Sequence, residues 1–332
     1  MHRFVLTVLL LSIAGPNWSQ TLPHPGEPPP VETGALEIQY FSVGCLKLKV
    51  GDVAVLTDPF WTHLPAARVM LGKLRPDPQQ IDPHLPDLRD IEAVLISHGH
   101  YDHILDLPYI APQLPPETVI LGSTTSGHLL APFALKPRFQ SVNSTVADTG
   151  RAGTPQVTES GRIRIRAIRG QHPNHFWFIH LWGEQITAPL TEPPVWGREF
   201  QEGLTLAWLI DFLAEDGGIQ YRVFFQSSSA PYPFGYFPEA IRAEHPIDVA
   251  ILHKWFLDRE RKGERSVLRD LGARHVMFCH WEDFFQPKTV PPRRALLRKL
   301  RRKITTLETE GPAGVRYILP EWDGRYYFSP GE

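Results

Sequence analysis

The chain has 332 residues and carries 34 Lys and Arg against 36 Asp and Glu, a formal net charge of −2 at pH 7. This near-neutral balance argues against a nucleic-acid-binding protein, which needs a broad positive face. The two cysteines, Cys45 and Cys279, lie far apart in apolar segments, which disfavours a cysteine-based zinc site and leaves open whether the thiols pair.

The N-terminus has the pattern of a signal peptide, because a short positive start is followed by the apolar run 4–14. We therefore predict an exported protein, periplasmic or extracellular, with a signal peptide over residues 1–20 and a proline-rich extended leader over 21–34. A buried N-terminal element is the alternative. We find no internal linker in residues 35–332 and predict that they form one domain.

Short apolar, β-branched runs predict strands in both halves of the chain. In the first half they cover residues 36–43, 45–50, 53–57 and 91–97. A predicted helix capped by Ser123 or Thr124 follows, and another is predicted near 237–243. In the second half the strands are predicted at 162–168, 204–212, 221–226, 248–253 and 275–280. Two similar halves of strands and helices predict an α+β fold, a four-layer αββα sandwich.

A basic segment lies near the C-terminus, at residues 291–304. Leucine and isoleucine recur in it at helical spacing, and Lys or Arg fills most of the other positions. This pattern predicts a basic amphipathic helix. The helix either packs on the core with a solvated face or makes peripheral contact with an anionic membrane surface.

Two long stretches rich in proline and aromatic residues, 60–88 and 172–200, interrupt the strand pattern. Connections of this length in a compact domain are typical of lids and pocket walls. Their aromatic residues are candidates for an apolar pocket that accepts an acyl chain, with core packing as the alternative. These residues are Phe60, Trp61, Phe176, Trp177, Trp182 and Trp196.

Four candidate metal ligands follow the apolar run that ends at residue 97. They are His98, His100, Asp102 and His103. In an extended chain His98 and His100 point the same way, because side chains alternate with period two, and both imidazoles can therefore bind one ion. A turn into a helix would direct Asp102 and His103 toward a second position. Such ligands suit zinc, iron or manganese, and zinc is the default for a histidine-rich hydrolase.

Together with Asp58 in the segment LTDP, the run HGHYDH at 98–103 resembles the signature of the metallo-β-lactamase superfamily. The resemblance implies the αββα fold of that family, with metals between the two sheets and further ligands at later strand ends. It implies that His172 joins the first two histidines of the run in one site. It also implies that His280 joins Asp102 and the last histidine in a second.

Several assignments stay open. His175 lies on the pocket wall, or it binds the ion in place of His172. His280 is alternatively a hydrogen-bonded core histidine. Asp58 would accept the free ring N–H of a ligating histidine, or it is a turn aspartate before a proline. Ser228 stands where the family has an aspartate that bridges two metals, so the second site should be weaker and one or two ions are expected.

The predicted chemistry is hydrolysis by a metal-bound hydroxide, because zinc lowers the pKa of its bound water to about 7. Asp102 would hold the second ion and orient the water. The segment TDP at 57–59 and the ending HWE at 280–282 resemble the lactonase-like and N-acylphosphatidylethanolamine phospholipase D-like branches. This resemblance implies a small-molecule or lipid-like substrate, either a phosphodiester or a lactone. The alternatives are a sulfur dioxygenase-like iron oxidoreductase and a metal-binding protein with little catalysis. Hydrolysis of β-lactams is less favoured, and the oligomeric state is undetermined.

Overall fold

The computed structural model describes residues 34–135, 138–146, 151, 153–175, 180–228, 233–236, 238–259 and 267–330. The predicted signal peptide and all but the last residue of the predicted leader lie outside the described residues. Phe176 and Trp177 lie outside them as well. Of the helices that are described, none has the length and apolar character needed to cross a bilayer.

Two seven-stranded sheets contain all the strands of the described chain. The strands are β1 (Leu36–Ser42), β2 (Cys45–Val50), β3 (Val53–Thr57), β4 (Ile91–Leu95), β5 (Val119–Gly122), β6 (Phe139–Ser141), β7 (Gln156–Val157), β8 (Ile163–Arg169), β9 (Leu206–Leu213), β10 (Ile219–Gln226), β11 (Val249–His253), β12 (His275–Cys279), β13 (Arg316–Ile318) and β14 (Arg325–Phe328). The first sheet has the order β14-β1-β2-β3-β4-β5-β6 and the second has the order β13-β12-β11-β10-β9-β8-β7.

Short helices connect these strands. They are α1 (Ala66–Leu71), α2 (Pro78–Ile81), α3 (Tyr101–Ile104), α4 (Leu107–Ile110), α5 (Thr124–Leu130), α6 (Glu239–Glu244), α7 (Phe256–Arg259), α8 (Val267–Leu271) and α9 (Arg294–Glu310). As expected, Ser123 caps α5, and its side chain accepts a hydrogen bond from the Ser126 amide. The basic helix α9 continues beyond its predicted end at residue 304.

Each sheet is antiparallel on one side and parallel on the other. In the first sheet, β1, β2 and β3 pair antiparallel, whereas β3 to β6 pair parallel. The second sheet repeats this change at β10, with β7 to β10 antiparallel and β10 to β13 parallel. Because parallel strands end at the same edge of a sheet, the loops that follow them can build one site.

The apolar core has two parts, which follow from the alternation of side chains along the strands. In β4, Ala93 and Leu95 join residues of both sheets in the central cluster. Val94 and Ile96 instead pack against the helices on the outer face of the first sheet. The buried leucines and isoleucine of helix α9 pack against this central cluster. The predicted α+β fold, a four-layer αββα sandwich, is confirmed.

Both cysteines are free and buried, Cys45 in the first sheet and Cys279 in the second. Burial raises the pKa of each thiol well above its ordinary value. At neutral pH both thiols therefore stay protonated and pack as small apolar side chains.

Candidate metal centre

Polar side chains from six strand ends meet at one edge of the sandwich. They are Asp58 after β3, the run 98–103 after β4, His172 after β8, Ser228 after β10, His253 at the end of β11 and His280 after β12. The first sheet supplies the first two members, and the second sheet supplies the others. The site thus lies where the two sheets face each other, as the family resemblance implies.

The first group of candidate ligands consists of His98, His100 and His172. One ligand atom of each lies within 4.8 Å of the others, and His98 Nε2 is 3.1 Å from His100 Nδ1. Burial lowers the pKa of His98 well below its ordinary value and that of His100 to about 3. Neutral imidazoles are the form that binds metals, so this group fits a metal ion without losing protons.

Gly99 brings the first two histidines together. A Cβ on this residue would lie 2.2 Å from the Gln201 carbonyl oxygen, so only glycine fits. The Gly99 amide also donates a 2.9 Å hydrogen bond to the Glu202 carbonyl oxygen. The loop is thereby held in the extended form that turns both imidazoles the same way.

The second group consists of Asp102, His103 and His280, whose ligand atoms also lie within 4.8 Å of one another. Asp102 Oδ2 is 3.3 Å from His280 Nε2 and 3.6 Å from His103 Nε2. Burial acts to raise the pKa of Asp102, but His103 and His280 hold it below its ordinary value. The ionised carboxylate supplies the negative charge that a divalent cation needs.

Asp58 orients this group from behind. Its Oδ2 accepts a 2.8 Å hydrogen bond from His103 Nδ1, and its Oδ1 accepts a 2.7 Å bond from the Ser97 amide. Since Nδ1 of His103 is the donor, Nε2 faces the second group. Burial disfavours a charged His103, yet Asp58 and Asp102 raise its pKa above the ordinary value, so an ion must displace a proton there.

Glu282 positions the last ligand, a role that the sequence analysis missed. Its buried carboxylate accepts hydrogen bonds from the Val43 amide, 2.6 Å, and from the Tyr40 hydroxyl, 2.7 Å. The His280 amide in turn donates to the Val43 carbonyl oxygen at 2.9 Å. These bonds join the loop after β12 to the turn between β1 and β2. Val43 in the turn and His280 in the loop both have positive φ angles.

The structure places His175 beside the first group. Its ring stacks on that of His172 with centroids 4.7 Å apart, and its Nδ1 accepts a hydrogen bond from the Leu181 amide. Ser228 is buried and lines a cavity that His172 and His175 also line. The roles assigned to these two residues stay predictions.

His253 and Lys254 also reach the site, and the sequence analysis missed both. The His253 ring lies 4.6 Å from that of His280, and its Nδ1 accepts a hydrogen bond from the Trp255 amide. Both residues line the cavity. The sequence signal that could have identified them is their position: His253 ends the apolar run DVAILH and Lys254 follows it. His280 was identified from the same position, after a buried strand.

A cavity of about 360 Å³ opens over both ligand groups. His100, Asp102, His172 and His280 form part of its wall. The remaining wall includes the apolar side chains Val69, Met70, Leu181, Trp255, Phe284 and Phe285. The cavity is therefore lined by candidate metal ligands on one part of its wall and by apolar side chains on the rest.

The aromatic residues predicted to form this pocket mostly do not. Phe60 and Trp61 are fully buried in the outer core of the first sheet, and Trp196 lies under the side chains of Lys73 and Arg198. Among the described members of the predicted set, Trp182 lines the cavity. For Phe60 and Trp61 the alternative of core packing holds, because aromatic side chains gain more from burial against apolar neighbours than from lining a wet pocket.

The sequence model of the beta-lactamase superfamily domain matches residues 54–281, more than half of the chain. The chain belongs to this superfamily. The matched region begins in β3 and ends just after His280, so it spans both candidate ligand groups. The family predicted from Asp58 and the run 98–103 is thereby confirmed.

Individual proteins show more distant likeness. A UPF0173 metal-dependent hydrolase of Polaromonas sp. is 26% identical over 209 residues, which are 61% of this chain and 66% of that protein. A cytidine monophosphate-N-acetylneuraminic acid hydroxylase of Asterias rubens is 31% identical over 102 residues, 30% of this chain and 15% of that protein. The chain thus spans less than two thirds of these curated relatives.

Among solved structures, the isothiocyanate hydrolase from Delia radicum gut bacteria superposes with a TM-score of 0.52. The match covers 88% of this chain and 99% of that one, at 15% identity. At this identity the likeness concerns the fold, and it agrees with the sandwich described above.

We predict that Asp58→Asn weakens metal binding by about 10- to 100-fold, because asparagine has one acceptor oxygen where Asp58 uses two, for the Ser97 amide and for His103 Nδ1. Binding is measured by competition with a chromogenic chelator. Asp52→Asn, the same change at an exposed position, is the control and should bind metal like the native protein. Equal affinity in the two variants would contradict the role given to Asp58.

Proposed function

We propose that the protein is an exported metal-dependent hydrolase that acts on a phosphodiester, including a lipid-like one, or on a lactone. The observation that carries the proposal is the pair of adjacent ligand groups under a cavity with apolar walls. When bound there, zinc would activate a water molecule and polarise the scissile group. The relatives named metal-dependent hydrolases support the reaction class.

Three kinds of side chain would share the work. The neutral His98, His100 and His172 would hold the first ion, since burial in the sandwich lowers the pKa of each imidazole. Asp102, a member of the second group, would hold the second ion, and its negative charge would orient a water molecule. The apolar walls exclude bulk water, which strengthens the electrostatic interactions inside.

The cavity walls support an amphipathic, anionic substrate. Among the described residues that line this cavity, Lys254 is the one Lys or Arg, and Asp102 is the one carboxylate. An ammonium group beside apolar walls suits a phosphodiester that carries an acyl or alkyl group. A lactone uses the same walls but carries no negative charge to pair with the ammonium group, so it is the second choice.

We predict one or two zinc ions per chain in the purified protein and turnover of bis(p-nitrophenyl) phosphate. His98→Ala should lose the first ion and at least about 99% of the activity, because two remaining imidazoles hold zinc poorly. Elemental analysis and release of p-nitrophenol measure these effects, with a chromogenic lactam as a second substrate. His84→Ala, a matched change on the surface, should keep both properties. Absence of stoichiometric metal would overturn the proposal.

Ser228 supports a weak second site, because a neutral hydroxyl stands at the expected place of a bridging carboxylate. We predict that Ser228→Asp binds the second ion at least about tenfold more tightly, with little effect on the first. Isothermal titration with zinc separates the two events. Ser144→Asp, the same change at an exposed position that does not line the cavity, is the control. Unchanged second-ion affinity in Ser228→Asp would refute this reading of Ser228.

An iron-dependent oxidoreductase is the second candidate, and the similarity to a protein named as a hydroxylase favours it. Imidazole and carboxylate ligands suit iron as well as zinc. Bound iron without hydrolysis of either test substrate would select this candidate over the hydrolase. Bound metal with no turnover of any kind would select a metal-binding protein.

We further propose that helix α9 contacts an anionic membrane surface. Its buried side chains, Leu300, Ile304 and Leu307, face the core, while most of its basic residues are exposed. The helix packs on α7, next to the cavity. Burial lowers the pKa of Lys254 and the charge of Lys299 adds to this effect, so the basic helix lies close to the cavity wall.

We predict that changing Arg298, Arg301 and Arg302 together to Gln weakens binding to phosphatidylglycerol-containing vesicles at least about tenfold. Each basic residue near an anionic surface contributes about 1 kcal/mol. The control changes three other exposed arginines to Gln, at positions 89, 316 and 325. Vesicle co-sedimentation at low and high salt measures the effect. Equal binding by both triple variants would leave α9 as a solvated helix.

A further inference from the structure

Glu202 is a buried carboxylate just outside the two ligand groups. It lies on the loop before β9 and is 6% exposed. Its Oε1 accepts a 2.5 Å hydrogen bond from the Thr205 hydroxyl, and its Oε2 contacts His180 Nε2. The Glu202 amide donates to the Trp182 carbonyl oxygen at 2.7 Å, so the backbone is fixed as well.

Among the described residues, Glu202 has no ion pair with a Lys or Arg side chain. A buried carboxylate is costly unless a cation compensates it. In the described part of the chain its ion pair is with His180, which is charged only when protonated and is about one third exposed. A divalent cation between these two side chains would neutralise the carboxylate and would use the imidazole as a ligand.

A third ligand is already in place. The ligand atoms of His172, His180 and Glu202 all lie within 4.8 Å of one another, and the rings of the two histidines have centroids 5.7 Å apart. Two imidazoles and one glutamate form a ligand set that zinc takes with a further position left for water. The cluster thus offers the same chemistry as the two groups described above.

We propose that His172, His180 and Glu202 form a third site, for zinc or a similar transition-metal ion, which shares His172 with the first group. His172 Nδ1 donates a 2.7 Å hydrogen bond to the Pro173 carbonyl oxygen. Only Nε2 is therefore left to bind an ion, and it serves one site at a time. An ion at the third site withdraws His172 from the first, where His98 and His100 remain.

This sharing makes the third site inhibitory. At low metal concentration His172 stays with the first group, in which two other buried imidazoles converge. Excess metal fills the third site and leaves the first position with His98 and His100 alone, which would retain an ion only weakly and at high free metal concentration. Metal should therefore activate the protein at low concentration and inhibit it at high concentration.

The test is zinc binding by the full-length protein, measured by equilibrium dialysis over a range of free zinc concentrations. The native protein should bind a further, weaker equivalent at excess zinc. Glu202→Gln and His180→Ala should each weaken that equivalent at least about tenfold, because each removes a ligand. Glu184→Gln, the same change at an exposed position on the neighbouring loop, should retain it. The same number of equivalents in all four proteins would overturn the proposal.

A second readout separates this site from the proposed hydrolase function. In protein loaded with Co²⁺, excess Co²⁺ should further change the visible absorption of the native protein but not that of Glu202→Gln. This measurement requires no turnover, so it stands even if no substrate is hydrolysed. An identical response in Glu202→Gln would show that the third cluster does not bind the ion.

Discussion

The carboxylate of Asp58 is the interaction on which the centre depends. It joins the end of β3 to the loop after β4 by accepting hydrogen bonds from the Ser97 amide and from the His103 ring. Both partners are buried, so the bonds are shielded from water and hold the loop firmly. Because this loop also carries His98 and His100, one carboxylate sets the orientation of ligands in both groups.

Charge explains much of the remaining design. The first group is made of neutral imidazoles, and the second has one carboxylate, Asp102. On the proposal that Ser228 takes the place of a bridging aspartate, two divalent cations would keep a larger positive charge than in the family pattern. An anionic substrate would balance this charge, and Lys254 on the cavity wall adds to the same preference.

Histidines outside the two groups extend the centre. His175 stacks on His172, and His180 binds the buried Glu202, so this edge of the sandwich offers imidazoles beyond those that two ions need. A ligand shared between clusters gives the protein a means to respond to metal concentration, since one nitrogen of His172 cannot bind two ions. The response would arise from competition for a side chain and would need no movement of the fold.

The sequence alone determined most of the strands, the αββα class and the run 98–103, because hydrophobic period and ligand spacing are local properties. The family resemblance of that run pointed further, to His172 and His280 after later strands. Only the tertiary structure brought Glu202, Glu282 and His253 to the centre, since their partners lie far away in the chain or in the other sheet. It also decided that Phe60 and Trp61 fill the core, because apolar character is local but the surface that covers a side chain is set by packing.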